Sequence, residues 1–405
     1  MEEKFGFGRF GGSFKVDSVQ ALAANLGPEI PDIYVRPERK EDIVAGGKED
    51  SGESFPVIDF GRLFDSKCSE EEAAKLHSAC QGWGFFQLVN HGIPEDLISK
   101  LRQDTEEFFK LPLEEKEKIA LLPGQTEGYG QIFDQSKEQK LDWGDRLAIV
   151  TFPPNYKQMR ETVDAYAIEI KKVADGLLKM ISKSLGLEFE KLYDIFKGGI
   201  QYFRFNYYPP CPSPERVFGL CPHSDPVGLT ILLQVNDLQG LQIRRKGKWL
   251  PVQVIPGAFI VNIGDIIEIL CNGKYKSIVH RAVVNNEKER LSVAGFHSLN
   301  IGDLVGPIAE IVKGDELLYK SLQFEEYFKQ YKDRFVSQVK TISLQSVSNK
   351  VTKFCKIPTF PENPTEFLHI QAAGRAPAVV EEEMILPFPF LFFFSLFSLE
   401  SSCEE

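Results

Sequence analysis

Paired cysteine motifs are missing from this 405-residue sequence: Cys68, Cys80, Cys211, Cys221, Cys271, Cys355 and Cys403 never stand as CxxC. An odd, scattered set indicates neither a disulfide framework nor a structural zinc site and fits a reducing compartment. Positive charge is also in deficit. With 47 Lys+Arg against 58 Asp+Glu, a net charge of -11 and no sustained basic run, neither nucleic acid nor an anionic membrane surface is expected as the main partner. A long apolar run is absent too: Met384–Leu399 is broken by Pro387 and Pro389 and falls short of the ~20 residues of a membrane span. Met1–Lys15 lacks the apolar core of a secretory signal, so a cytoplasmic location is expected. What is present is globular material, 43% hydrophobic and 26% charged, which rules out collagen, coiled coil and wholesale disorder as overall classes. At roughly 150 residues per domain the length allows two domains or one large one.

The Gly- and charge-rich stretch 40–54 sets off a leader, expected to be loosely packed. Phe55–Phe60 reads as a strand, and Ser69 with Glu72 three residues on reads as the capped start of a helix. Phe85–His91 reads as a second strand, and Pro94 opens a helix through Phe109. Met159, Val163, Tyr166, Ile170, Val173, Leu177 and Ile181 recur at spacings of four and three, the stripe of one long amphipathic helix. After Ile200 the period changes to two for about a hundred residues, in short runs punctuated by Gly, Pro and Asn-Gly, which predicts a β-barrel or sandwich.

Only six histidines occur, and two of them carry the most informative pattern. In His223-Ser-Asp225 the outer residues face the same way on an extended segment, and His280 can join them from a neighbouring strand. Two imidazoles and one carboxylate that leave other positions open form the facial triad of non-haem Fe(II) oxygen chemistry. An isolated HxD also fits a turn beside Pro222 with a satisfied strand histidine at 280, and the same ligands suit Zn(II). Ten residues after His280, Arg290 and Ser292 share a strand face with Ala294 and Phe296. A guanidinium fork beside a hydroxyl makes a carboxylate clamp, although a rim ion pair of Arg290 with Glu287 or Glu289 fits the same residues. In Tyr202–Tyr208 the alternation places Arg204, Asn206 and Tyr208 on a polar wall and Phe203, Phe205 and Tyr207 on the packed face.

The series Phe55-Pro-Val-Ile-Asp59, Gly82-Trp-Gly-Phe-Phe-Gln87, Val89-Asn-His-Gly92, Glu127-Gly-Tyr-Gly-Gln131, Gln139-Lys-Leu-Asp-Trp143, Asn206-Tyr-Tyr-Pro-Pro-Cys211, Pro222-His-Ser-Asp225, Ser277–Ala282 and Arg290-Leu-Ser292 resembles the plant 2-oxoglutarate- and Fe(II)-dependent dioxygenases, in their norcoclaurine synthase-like and codeine demethylase-like branch. The resemblance implies a mainly β fold with α, a double-stranded β-helix (jelly-roll) core with a helix-rich N-terminal part. It implies Fe(II) on His223, Asp225 and His280, and 2-oxoglutarate held by Arg290 and Ser292 with Tyr208, with Asn206 near the metal end. O2 is the co-substrate and ascorbate the reductant. His91 is a structural residue in that pattern. The implied activity is hydroxylation, demethylation or desaturation of a small plant specialised metabolite, with succinate and CO2 as co-products. Arg204, Phe296 and Ser298 are placed to line a substrate pocket and Tyr129 to close it; an aromatic-lined pocket suits a phenolic, alkaloid or indole.

On this reading the chain divides into a leader (1–54), a helix-rich part (55–195), the dioxygenase barrel (196–331) and an atypical tail (332–405), and is expected to act as a monomer. Two segments depart from the family pattern: the connection 146–156 is shorter than its counterparts, and the tail no longer resembles them. Hence a catalytically impaired barrel that only binds ligands is an alternative, and a zinc hydrolase on the same ligands is a third.

Overall fold

The computed structural model describes residues 16–27, 29–37, 39, 54–122, 125, 127–131, 140–150 and 160–337. Most of the expected tail, part of the leader and residues 151–156 of the connection expected to be short lie outside these. Twelve strands build two facing sheets: β1 (Val57–Asp59), β2 (Phe85–Val89), β3 (Gly128–Tyr129), β4 (Asp145–Val150), β5 (Gln201–Tyr208), β6 (Leu220–His223), β7 (Leu229–Gln234), β8 (Leu241–Arg245), β9 (Lys248–Pro251), β10 (Phe259–Ile263), β11 (His280–Ala282) and β12 (Arg290–His297). The larger sheet runs β1-β2-β10-β7-β12-β5-β4-β3 and the smaller β6-β11-β8-β9. Their inner faces meet through Phe85 and Ile260 of the first and Leu241 and Ile243 of the second.

Side-chain alternation decides what each face of the larger sheet meets. Phe203 and Phe205 of β5 point outward and are fully buried beneath a helical layer, with Tyr166 packed on Phe203 at 5.5 Å and Phe109 stacked on Tyr207 at 5.1 Å. The principal support is the helix Arg160–Ser184, whose Val163, Tyr166, Ile170, Val173, Leu177 and Ile181 are all buried. The helical layer and the outer face of the sheet therefore form one core. Strands β1 to β4 come from the segment 55–195 yet complete the sheet of the following segment, and both expected boundaries, 195/196 and 331/332, fall inside helices, Lys191–Phe196 and Phe324–Ser337.

Several local readings need correction. Cys68, not Ser69, occupies the cap of the helix Ser69–Gly82; Ser69 Oγ donates to Leu63 O at 2.7 Å. Glu72 serves tertiary structure instead of the cap, accepting from Asp59 N at 2.9 Å and Arg62 Nε at 3.2 Å, so it ties this helix to β1. The first residues of the connection expected to be short, 146–150, belong to the regular strand β4. The leader is not loose over residues 16–27 and 29–36: Val19, Ile30 and Tyr34 are buried with Trp143, Tyr208 and Leu220. The reason is Asp145, whose carboxylate accepts from Ser18 Oγ at 2.6 Å, Val19 N at 2.8 Å and Gln20 N at 3.1 Å, anchoring the start of the helix Val19–Asn25. Among the described residues no helix is long and apolar enough to cross a membrane.

One close approach sets the geometry below. A Cβ on Gly264 would fall 2.0 Å from Val227 O, while Gly264 N donates to Gly228 O and Asp265 N to Asp225 O, both at 2.8 Å. Only glycine lets the turn after β10 press against the loop that carries Asp225. Gly264→Ala is expected to destabilise the protein by about 2–3 kcal/mol, an overpacking cost, read as a lower denaturant midpoint with an unchanged slope.

Candidate functional site

His223 ends β6 and His280 begins β11, and antiparallel pairing sets them directly opposite each other, with ring centroids 4.3 Å apart. Asp225 follows in the loop between β6 and β7. Its Oδ1 lies 3.5 Å from His223 Nε2 and 3.7 Å from His280 Nε2. One ligand atom from each of the three lies within 4.8 Å of the others, and all three residues are buried. The expected triad is thus brought together by the β6–β11 register.

The surrounding bonds orient these atoms. His223 Nδ1 lies 2.9 Å from Cys221 O and His280 Nδ1 3.1 Å from Ile278 O. Because a carbonyl can only accept, each Nδ1 carries the hydrogen and each Nε2 presents its lone pair. Thr230 Oγ1 and Asn262 Nδ2 donate to Asp225 Oδ2 at 2.6 and 2.7 Å, which leaves Oδ1 toward the imidazoles. Burial opposes the charge of Asp225, yet the two imidazoles and the Thr230 hydroxyl hold its carboxyl well below the usual carboxylate range. Burial pushes His280 down to about 4, against the pull of Asp225, so its imidazole is neutral at physiological pH. Neutral nitrogen plus carboxylate oxygen is a donor set that fits Fe(II).

A second cluster lies on the inner face of β5 and β12, where Arg290 pairs Tyr208 and Ser292 pairs Asn206. Ser292 Oγ receives Asn206 Nδ2 at 3.3 Å and Arg290 Nη1 at 3.5 Å, which leaves its own hydrogen for a third partner. Arg290 is buried over the Tyr208 ring, 5.4 Å from its centroid, and its Nε is buried without a hydrogen-bond partner. It makes no ion pair among the described residues, so the rim pairing with Glu287 or Glu289 is not formed. A buried guanidinium lacking an anion is costly, and the distal carboxylate of 2-oxoglutarate fits that vacancy in the bonding.

Of the substrate-pocket residues, Arg204 and Phe296 come together: the guanidinium lies 5.4 Å from the ring centroid, and Phe296 stacks on Tyr202 at 4.5 Å. Ser298 is buried just beyond β12, its N–H donating to Ile200 O. Tyr129 is a correction. It pairs Leu147, which pairs Phe205, so Tyr129 faces the helical layer; its hydroxyl donates to Asp145 Oδ2 at 2.8 Å and its ring packs 6.0 Å from Phe108. Strand parity, fixed by the pairing of β3 with β4, takes it off the face that Arg204 and Phe296 share. His91 likewise has a structural setting, Nε2 meeting Gly257 O at 3.0 Å beside the Phe259 ring.

Other site residues carried no distinctive signal in the sequence. Thr230 and Asn262 look like ordinary strand residues. Arg146 reaches the inner face only because β4 is a strand, where it pairs Asn206. Asp265 braces the metal loop: Ser224 Oγ and Tyr327 OH both donate to its Oδ2, at 3.1 and 2.7 Å. The Tyr327 bond sets the helix Phe324–Ser337 beside the metal loop; Tyr331, one turn along it, has its phenol pushed well up by burial and then by the charges of Asp225 and Asp265.

Comparison with known proteins agrees with this geometry. Residues 55–167 match the non-haem dioxygenase in morphine synthesis N-terminal family and residues 199–299 the 2OG-Fe(II) oxygenase superfamily. The chain belongs to the 2OG-Fe(II) oxygenases, and its cofactors are Fe(II) and 2-oxoglutarate. It is 46% identical over 331 residues to S-norcoclaurine synthase 1 of Coptis japonica, covering 78% of this chain and 92% of that one. It is 42% identical to oxoglutarate-dependent flavonoid 7-O-demethylase 1 of Ocimum basilicum, covering 81% and 90%. The crystal structure of JOX2 with 2OG, Fe and JA superposes with a TM-score of 0.72 at 35% identity, over 83% of this chain and 98% of that one.

Losing either donor to Asp225 Oδ2 frees the carboxylate to turn away from the imidazoles. Thr230→Val and Asn262→Ala are each expected to weaken Fe(II) binding by about 10–100-fold, the usual cost of removing a group that orients a metal ligand, with little change in circular dichroism. Equilibrium dialysis against Fe(II) under anaerobic conditions measures this.

Proposed function

We propose that this oxygenase holds Fe(II) on His223, Asp225 and His280, seats 2-oxoglutarate against Arg290, Ser292, Tyr208 and Asn206, and hydroxylates, demethylates or desaturates a small aromatic specialised metabolite. The observation that carries the reading is the presence of both a buried His-Asp-His cluster on the smaller sheet and a buried, anion-less Arg290 on the inner face of the larger one. A zinc hydrolase has use for the first and none for the second. When bound, the iron and 2-oxoglutarate supply the oxidising chemistry, with O2 consumed and succinate and CO2 released.

The protein's own contribution is arrangement. Thr230 and Asn262 keep Oδ1 of Asp225 toward the metal position, and the two backbone carbonyls fix both imidazole tautomers. Arg290 and Ser292 fix the far end of the keto acid, so its orientation on the wall is set from both ends. The sheet, residues 16–27 and 29–36, and the helix Phe324–Ser337 exclude bulk water, which strengthens each of these polar contacts. The Phe296–Tyr202 stack offers a flat apolar shelf beside them for an aromatic ring.

His223→Ala, Asp225→Ala and His280→Ala are each expected to abolish Fe(II)- and 2-oxoglutarate-dependent succinate release in the presence of ascorbate, with the fold retained. Normal release by any one of them would remove that residue from the metal site. Arg290→Lys keeps the charge and loses the fork. Its cost is expected at about 2–5 kcal/mol of 2-oxoglutarate binding, seen as a raised 2-oxoglutarate requirement with Fe(II) affinity intact; an unchanged requirement would place the clamp elsewhere.

A further inference from the structure

Two guanidiniums on the inner wall remain unexplained once iron and 2-oxoglutarate are assigned. Arg146 of β4 pairs Asn206, and Arg204 of β5 pairs Ala148, so they are diagonal neighbours on the same face. Arg146 has Asp142 at 3.8 Å, but that carboxylate also serves Arg36 at 3.4 Å and the N–H of Cys221 at 3.0 Å. Burial, and next the Arg204 charge, depress the pKa of Arg146. Arg204 forms no ion pair among the described residues, and its Nε is buried without a hydrogen-bond partner. Of the other carboxylates nearby, Asp225 is committed to Thr230, Asn262 and the metal, and Asp265 to the hydroxyls of Ser224 and Tyr327.

The positive charge also survives cofactor loading. Fe(II) brings two positive charges, 2-oxoglutarate removes two, and Arg290 is matched by Asp225 in the balance of the wall. Arg146 and Arg204 then share only the part of Asp142 that Arg36 leaves. The Arg204 guanidinium stands against the Phe296–Tyr202 shelf, so a ligand whose ring lies on that shelf has a cationic fork beside it.

We propose that the substrate is an aromatic acid whose carboxylate pairs with Arg204, Arg146 reinforcing the charge, and that protonated amines are excluded from the pocket. This rests on the oxygenase reading above and narrows it. Within the phenolic, alkaloid and indole classes suited to an aromatic pocket, it selects members that carry an acid and rejects basic alkaloids. A fork can meet both oxygens of a carboxylate, whereas an ammonium beside an uncompensated guanidinium meets like charge in a low dielectric.

The test uses the full chain loaded anaerobically with Fe(II) and 2-oxoglutarate, titrated with three fluorescent probes of one shape: 2-naphthylacetate, 2-naphthylacetamide and 2-(2-naphthyl)ethylamine. The acid is expected to bind about tenfold or more tighter than the amide, as a charge-assisted fork should, and the amine more weakly than either. Arg204→Gln should bring acid and amide within about twofold, while Arg204→Lys keeps part of the preference because it keeps the charge. The proposal is overturned if wild type binds the acid no better than the amide, including no binding of either, if the amine binds best, or if Arg204→Gln keeps the full preference. Should Arg204→Gln fail to fold, the wild-type ranking and Arg204→Lys still decide. Failure of wild type to take up Fe(II) or 2-oxoglutarate would instead refute the oxygenase reading itself.

Discussion

The arrangement depends on one buried carboxylate with its two oxygens used differently. Asp225 Oδ2 is tied by Thr230 from β7 and Asn262 from β10, both in the larger sheet, while Oδ1 faces the imidazoles of β6 and β11 in the smaller. A buried charge persists only when it is paired and hydrogen-bonded, so this residue links the two sheets at the point where a metal belongs. Its loop is held from outside as well. Asp265 N bonds Asp225 O, and the Asp265 carboxylate collects Ser224 and Tyr327, which makes the helix Phe324–Ser337 part of the metal site's support.

The rest of the fold insulates this wall. Outward-facing Phe203 and Phe205 bury against the helix Arg160–Ser184, leaving the alternate residues of β5 to face inward as Arg204, Asn206 and Tyr208. Strand parity thus converts one hydrophobic anchorage into a polar interior. The same conversion occurs on β4, where Leu147 faces out with Tyr129 and Arg146 faces in. At the far end, Asp145 captures the Ser18 hydroxyl and the N–H groups of Val19 and Gln20, so the amino-terminal segment packs with Tyr208 and Leu220.

The inner wall is polar in a directed way. The Arg290–Ser292 cluster and the Arg204–Phe296 pair lie on one face of the neighbouring strands β5 and β12, while the His223–Asp225–His280 cluster belongs to the β6–β11 pair of the smaller sheet and the loop after β6. Cationic groups outnumber carboxylates there, the reverse of the chain's overall acidity, and net charge alone is therefore a poor guide to what this pocket accepts.

The sequence by itself determined the class of chemistry. His223, Asp225, His280, Arg290 and Ser292 were legible because a two-residue period fixes which side chains share a face, and that period is a local property. The strands from β5 onward and the helix Arg160–Ser184 were legible for the same reason. What lay beyond it was everything set by which strands become neighbours. Pairing of β3 with β4 and of β4 with β5 moved Tyr129 to the outside and brought Arg146 inside, and Glu72 left its helix cap for a bond to β1. The supporting partners Thr230, Asn262 and Asp265 are ordinary in type, and the last two stand 37 and 41 residues from the loop residues they bond. Only tertiary structure decided them, because a hydrogen bond to a buried carboxylate is won by proximity in space, and no local pattern records which donor arrives.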